Sequence, residues 1–245
     1  SKAGSAVTSA TGNISMTADS LSLASALTYA NTTGSLTIAP TSASFSSAVN
    51  STGWVLGSGL SALTVGSTTN TADITWASSN TVNGPIRIYG GNITLNAGLT
   101  ATGSNTITLQ GSGTTTDGVS GFVSASNLFL SGSGSVTLDN STSNAVDTLA
   151  ATGGTALTYL NSGALTLGTV GATNGISATG TVSIGTKTGD LTVAKNVSTT
   201  NTGASALVLN ADMGAAAGSS TTARAMGGIE QYVTTNVTNL SSAAL

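Results

Sequence analysis

The chain has 245 residues, only 5% of them charged, and a formal net charge of −3 with no histidine and no cysteine. Five scattered basic residues, Lys2, Arg87, Lys187, Lys195 and Arg224, cannot neutralise a nucleic-acid backbone or hold an anionic membrane surface. Disulfides, thiolate metal sites and histidine-dependent triads are excluded, and no apolar run reaches the length of a transmembrane segment.

A chain rich in Gly, Ser and Thr invites a disordered reading, but disorder goes with low hydropathy and high net charge. Here the mean hydropathy is +0.28, and the apolar residues are spaced rather than scattered. In chain order the spacing gives Ile14-Ser15-Met16, Leu36-Thr37-Ile38, Leu63-Thr64-Val65, Ile74-Thr75-Trp76, Ile86-Arg87-Ile88, Ile93-Thr94-Leu95 and Ile107-Thr108-Leu109. It continues through Leu128-Phe129-Leu130, Val136-Thr137-Leu138, Leu157-Thr158-Tyr159, Leu165-Thr166-Leu167, Val182-Ser183-Ile184, Leu191-Thr192-Val193 and Leu207-Val208-Leu209. Each triplet alternates with period two, so its outer pair faces one way and its middle residue the other. None is long enough to fold alone, so the pattern predicts an all-β solenoid in which neighbouring copies bury each other's apolar faces.

From Gly84 onward, one predicted core column of strand starts runs through Ile86, Ile107, Leu128, Leu157, Val182 and Leu207. A second follows at Ile93, Val136, Leu165 and Leu191, with a member missing in the weak segment Gly113 to Asp117. A looser third set includes Leu99, Phe122, Ile176 and Val197. Two or three short strands per coil of roughly 20–29 residues is solenoid geometry. About ten coils at the inter-strand spacing give a rod near 50 Å long. A hairpin sandwich is the competing all-β reading, with Asn83-Gly84, Asp117-Gly118 and Asn174-Gly175 as its turn candidates. Only the Ala-rich stretch 204–217 offers any chance of helix. No composition break divides the chain, so residues 1–245 are expected to form one elongated domain, least regular over 1–30 and 215–245. Ser1 is not followed by a basic and then an apolar stretch, so any signal peptide is expected upstream or already removed.

The segment Ala72 to Leu95, with Asn83-Gly84-Pro85-Ile86 and Ile88-Tyr89-Gly90-Gly91-Asn92-Ile93-Thr94-Leu95, resembles the filamentous haemagglutinin-type exoproteins of bacterial two-partner secretion. So do Asn161-Ser162-Gly163-Ala164-Leu165-Thr166-Leu167-Gly168, Gly189-Asp190-Leu191-Thr192-Val193 and Ala206-Leu207-Val208-Leu209-Asn210-Ala211. The likeness covers nearly the whole chain and lacks the family's amino-terminal secretion motifs, as an interior repeat region or processed subunit would. It implies a right-handed parallel β-helix, export to the outside of a Gram-negative cell, and adhesive or structural work without catalytic residues.

The residues themselves offer little for catalysis. β-Helices include polysaccharide-cleaving enzymes, which need two carboxylates on one cleft. The eight acids, Asp19, Asp73, Asp117, Asp139, Asp147, Asp190, Asp212 and Glu230, are dispersed, and the best pair, Asp117 and Asp139, falls at turn positions where Asp bonds its own backbone. No Gly-Gly-x-Gly-x-Asp repeat offers a calcium ladder. Thr94, Thr137, Thr166 and Thr192 are expected in one outward column, as good strand residues rather than an ice-binding array. No cofactor or metal is expected, and no enzyme.

Alternation also puts Arg87, Thr108 and Phe129 on one outward column with Tyr89 beside Arg87, a face able to stack on a sugar or receive a protein. Trp76 and Tyr159 are expected inside. The expected function is a non-enzymatic extracellular or cell-surface rod, adhesive or structural, whose partner is a host or cell-surface glycan or protein. The alternative is a filament or matrix subunit that stacks on copies of itself end to end, since a solenoid ends in strand edges and Ser1 to Ala10 and Ser241 to Leu245 carry no cap-like sequence. A polysaccharide-acting enzyme is the distant third.

Overall fold

An apolar–polar–apolar strand buries its two apolar side chains only when strands of the same pattern lie on either side, and parallel stacking meets that need coil after coil. The computed structural model of the chain describes residues 11–21, 28–29, 33–57, 59–140, 143–213 and 229–230. Among these there is no helix, and parallel strands stack into a β-solenoid of about nine turns. The described part of the Ala-rich stretch holds the strand Leu207–Asn210. The expectation that the chain ends lack caps falls on 1–10 and 241–245, outside the described residues.

Each regular coil has three sides. On the first, Ile14, Leu36, Leu63, Ile86, Ile107, Leu128, Leu149, Leu167 and Val193 stand one above the next. Beside them run Met16, Ile38, Val65, Ile88, Leu109, Leu130, Ala151, Ile176 and Val197. The second side is a sheet of eight shorter strands, whose inward column is Val49, Ile74, Ile93, Thr115, Val136, Leu157, Val182 and Leu207. These columns form one apolar interior that includes Trp54 and Trp76, packed edge to face with ring centres 6.0 Å apart. Each fully buried Leu or Ile stabilises by roughly 1.5–3 kcal/mol, enough for a repeated stack to hold without ionic chemistry.

The single column expected through Ile86, Ile107, Leu128, Leu157, Val182 and Leu207 is two half-columns on different sides. Ile86, Ile107 and Leu128 continue to Leu149 on the first side, whereas Leu157, Val182 and Leu207 stack on the second. The strand between them, Ala145–Gly153, has no triplet to announce it, because Leu149, Ala150 and Ala151 are all buried. The expected second column shifts for the same reason. Ile93 and Val136 lead to Leu157, while Leu165 and Leu191 belong to the first side. Nor is a member missing at Gly113 to Asp117. Thr115–Asp117 is a paired strand with Thr115 and Asp117 buried in the interior.

The corner between the first and second sides is turned by a column of glycines, Gly90, Gly111, Gly132 and Gly153, in consecutive register. Gly132 shows why: its φ is 123°, and a Cβ there would sit 1.8 Å from the Gly111 carbonyl oxygen. Only glycine tolerates both the backbone angle and the approach.

The third side is the one that positions a surface feature. It climbs through Asn80–Val82, Gly98–Ala101, and the first parts of the long strands Phe122–Gly132 and Ala145–Gly153. Above Val146 it has no further strand among the described residues. Leu157–Asn161 is followed after one tight turn by Leu165–Leu167, which is already back on the first side. Turns take over the ladder from there, with Lys187 N–H donating to the Asn161 carbonyl and Met213 N–H to that of Thr186.

Candidate functional site

Asparagine side chains complete the backbone pairing where the third side is irregular. Asn80 Oδ1 accepts from Leu56 N–H at 2.9 Å, and Asn144 Oδ1 from Val123 N–H at 2.9 Å. At the step where the third side ends, Asn161 Oδ1 accepts from Val146 N–H and its Nδ2 donates to the Val146 carbonyl, both at 3.0 Å. Asn161 is 1% exposed and also accepts from the Tyr159 hydroxyl at 2.9 Å. An amide side chain carries the same donor and acceptor as the peptide unit it replaces, so the final strand of this side has its backbone satisfied without a following strand.

The step leaves a groove of about 530 Å³, lined by residues 100–103, 124–126, 145–147 and 161–164. The lining is Ser, Thr, Ala and Gly with Val146 and Asn161, and Asp147 is its single charged residue. Asp147 is exposed, and its Oδ2 accepts from Ser126 Oγ at 3.0 Å. One signal for this place is legible in the sequence. Leu165 follows Leu157 by eight positions, too few for a second-side strand, two turns and a third-side strand.

The face expected at Arg87, Tyr89, Thr108 and Phe129 is assembled. Thr64, Arg87, Thr108, Phe129 and Ala150 are consecutive partners on the outer surface of the first side, with Gln110 paired to Tyr89. Arg87 is exposed, and Tyr89, Thr108 and Phe129 are half-buried. The column ends under an excursion that was not expected. Between Leu167 and Ile176 the chain leaves the coil as an antiparallel hairpin, Thr169–Val170 against Thr173–Asn174. Its base is closed by Gly175 N–H donating to the Gly168 carbonyl at 2.7 Å. The hairpin lies against the strand Ala145–Gly153 and the neighbouring part of Phe122–Gly132, and both Val170 and Ala150 are buried although they stand outside the main core. Asn174-Gly175, a hairpin candidate in the sequence, sits at the base of this hairpin rather than at its tip.

Three of the acids serve the backbone. Asp19 Oδ1 accepts from Ser42 N–H at 2.7 Å, which holds its carboxyl below the usual range. Asp73 Oδ1 accepts from Asn92 N–H at 2.8 Å. Asp117, expected at a turn beside Asp139, instead ends an inward strand at 3% exposure. Its Oδ1 accepts from the N–H groups of Asp139 and Asn140, both at 3.1 Å, and its Oδ2 from Asn144 Nδ2 at 3.2 Å. Asp117 is thus buried and engaged with the backbone, whereas Asp139 is exposed. Burial, reinforced by the negative charge of Asp117, pushes the Tyr159 hydroxyl well above its ordinary pKa. Trp76 and Tyr159 are inside, at 0% and 1% exposure.

The four threonines expected in one outward column divide between two sides. Thr94 and Thr137 belong to the second, where Thr75, Thr94, Thr116, Thr137 and Thr158 stand in unbroken register. Thr166 and Thr192 pair on the first. Among the described residues no three acidic groups come together as a metal site would need, and no helix is long and apolar enough to cross a membrane. Comparison with protein family models, with curated proteins and with solved structures gave no match to this chain.

Proposed function

We propose that this chain is a non-enzymatic rod of the bacterial cell surface or of a secreted fibre, which spaces and presents a contact face. The observation that carries the reading is the pair of first-side columns that run without a break from Ile14 and Met16 to Val193 and Val197. A continuous parallel ladder resists bending and has no internal joint, which suits a spacer better than a closing active site. The surface it displays is nearly free of charge, with hydroxyls on the second side and the Arg87, Thr108, Phe129 column on the first. An arginine in line with an aromatic ring can stack on a sugar or enter a protein interface. The resemblance of the sequence segments to haemagglutinin-type exoproteins supports the same reading, including a location outside the cell.

A second reading, a subunit that stacks end to end, is favoured by one observation. The strands Ile14–Thr17 and Leu207–Asn210 stand at opposite ends of the stack, and each has a strand partner on one edge only among the described residues. Each end thus offers an open parallel strand edge on one side of the coil, and such edges can accept a second copy in a heterologous contact that gives open filaments. Negative-stain microscopy of the purified chain separates the two. Single rods about 45 Å long, the height of about nine strand spacings, support the spacer, and long uniform fibres support the filament. Fibres held by backbone pairing and apolar burial persist between low and high salt. They are blocked by Ile14→Lys in a variant whose circular dichroism is intact. A matching substitution at Val233 falls outside the described residues.

A further inference from the structure

We propose that the groove at the end of the third side binds a neutral saccharide chain, an inference that rests on the adhesive reading of the rod and names the chemistry of one partner. Its volume, about 530 Å³, lies within the range of ligand pockets, roughly 300–1,000 Å³. Its place is a consequence of the fold, because a side of the solenoid stops there and leaves a step along the rod.

The chemistry of the lining rejects several occupants in turn. An added β-strand would need unsatisfied N–H and C=O groups on the last strand of the third side, and the Asn161 amide already serves both groups of Val146 at 3.0 Å. A hydrophobic side chain would need an apolar pocket, whereas hydroxyls of Thr100, Thr102, Ser124 and Ser126 recur through the lining. An anionic polymer would meet Asp147 and no basic residue in the lining. A divalent cation such as calcium needs six to eight oxygen ligands, and one carboxylate does not organise them. What remains is an uncharged ligand rich in hydroxyls. Asp147 is exposed, and Ser126 Oγ holds its Oδ2 in place. A carboxylate has acceptor capacity for more than one donor, so Asp147 can take hydroxyls of a sugar in charge-assisted hydrogen bonds. Alanine and glycine elsewhere in the lining let a pyranose ring approach the backbone closely. The lining holds a single acid, so a bound chain is held and not cleaved, since glycoside hydrolysis uses two.

The test is saturation-transfer NMR on the whole chain with short neutral gluco- and galacto-oligosaccharides, and with an oligogalacturonate as the anionic counter-probe. The expected result is transfer to a neutral oligosaccharide and none to the anionic one. Asp147→Asn keeps the shape and removes the charge, and should weaken binding about tenfold, the loss of one charge-assisted bond. Ala145→Trp, at an exposed position of the lining, should abolish it by filling the groove. Unchanged circular dichroism confirms that both variants are folded. If neutral sugars bind but only Arg87→Ala or Phe129→Ala weakens them, the groove proposal is overturned and the adhesive rod stands. If no neutral oligosaccharide binds at millimolar concentration, or the anionic one binds equally well, the groove proposal fails, while microscopy still judges the rod by itself.

Discussion

Asn161 closes the third side of the solenoid by giving Val146 the donor and the acceptor that a following strand would have supplied, each at 3.0 Å. Its Nδ2 also donates to the carbonyls of Gly163 at 3.0 Å and Ala164 at 2.9 Å, so one amide fixes both the strand end and the tight turn after it. Asn161→Ala should therefore destabilise by about 3 kcal/mol, since each buried group left unsatisfied costs roughly 1–3 kcal/mol. Asn161→Asp should be nearly as harmful, because a carboxylate cannot donate to the Val146 carbonyl. Urea unfolding of both variants measures this, and a loss confined to the alanine variant would mean that the donor half of the bridge is unimportant.

The glycine corner gives a paired prediction. Gly132→Ala forces a Cβ onto the Gly111 carbonyl at a positive φ and should cost at least about 2 kcal/mol. Gly163→Ala meets nothing within 4 Å and has no positive φ, so it should be neutral or stabilising by up to about 1 kcal/mol through the unfolded chain. Thermal melts of the two variants should differ in sign or clearly in size.

These positions show what alternation in a sequence can and cannot reveal. Triplets such as Ile86-Arg87-Ile88 and Ile107-Thr108-Leu109 were legible because one face is buried and the other wet, so the outward column of Arg87, Thr108 and Phe129 followed directly. Ala145–Gly153 was not legible, because the hairpin at Thr169–Asn174 covers its outer face and Ala150 is as buried as Leu149. Losing that one strand moved the predicted column from the first side to the second at Leu157. Thr115 and Asp117 hid another strand, since their inward positions are polar, and the Asp117 carboxylate is sustained by hydrogen bonds to the next turn. The groove had no motif of its own. It exists where a strand is absent, and the residue that makes the absence tolerable, Asn161, reads in sequence as an ordinary turn former.

Leu165 and Thr166 test the in–out assignment directly. Leu165 is 2% exposed and Thr166 is half-buried on the outer surface. Leu165→Asp places an unpaired carboxylate in the apolar stack and should cost more than about 4 kcal/mol or prevent folding. Thr166→Asp leaves its charge toward solvent and should cost about 1 kcal/mol or less. Equal losses in denaturant midpoint would show that the two side chains do not face opposite ways.

Tyr159 supplies a pH dependence whose sign is fixed by its surroundings. Burial, with Asp117 adding to it, raises the folded-state pKa of the hydroxyl, while in the unfolded chain it titrates near 10. Below about pH 10 both states hold the proton and the term is flat. Above it the unfolded chain ionises while the folded chain does not, so the folded state binds more protons and loses up to about 1.4 kcal/mol per pH unit. Tyr159→Phe removes the hydroxyl that donates to Asn161 Oδ1 at 2.9 Å and should cost about 1 kcal/mol at pH 7. It also removes the alkaline penalty, and every other titrating group is common to both proteins. The difference between parent and variant should therefore shrink above about pH 10 and reverse within roughly one further unit. Urea midpoints for both proteins at pH 7, 9, 10 and 11 measure the effect. A difference that stays constant across that range would place the Tyr159 hydroxyl in contact with water rather than inside the stack.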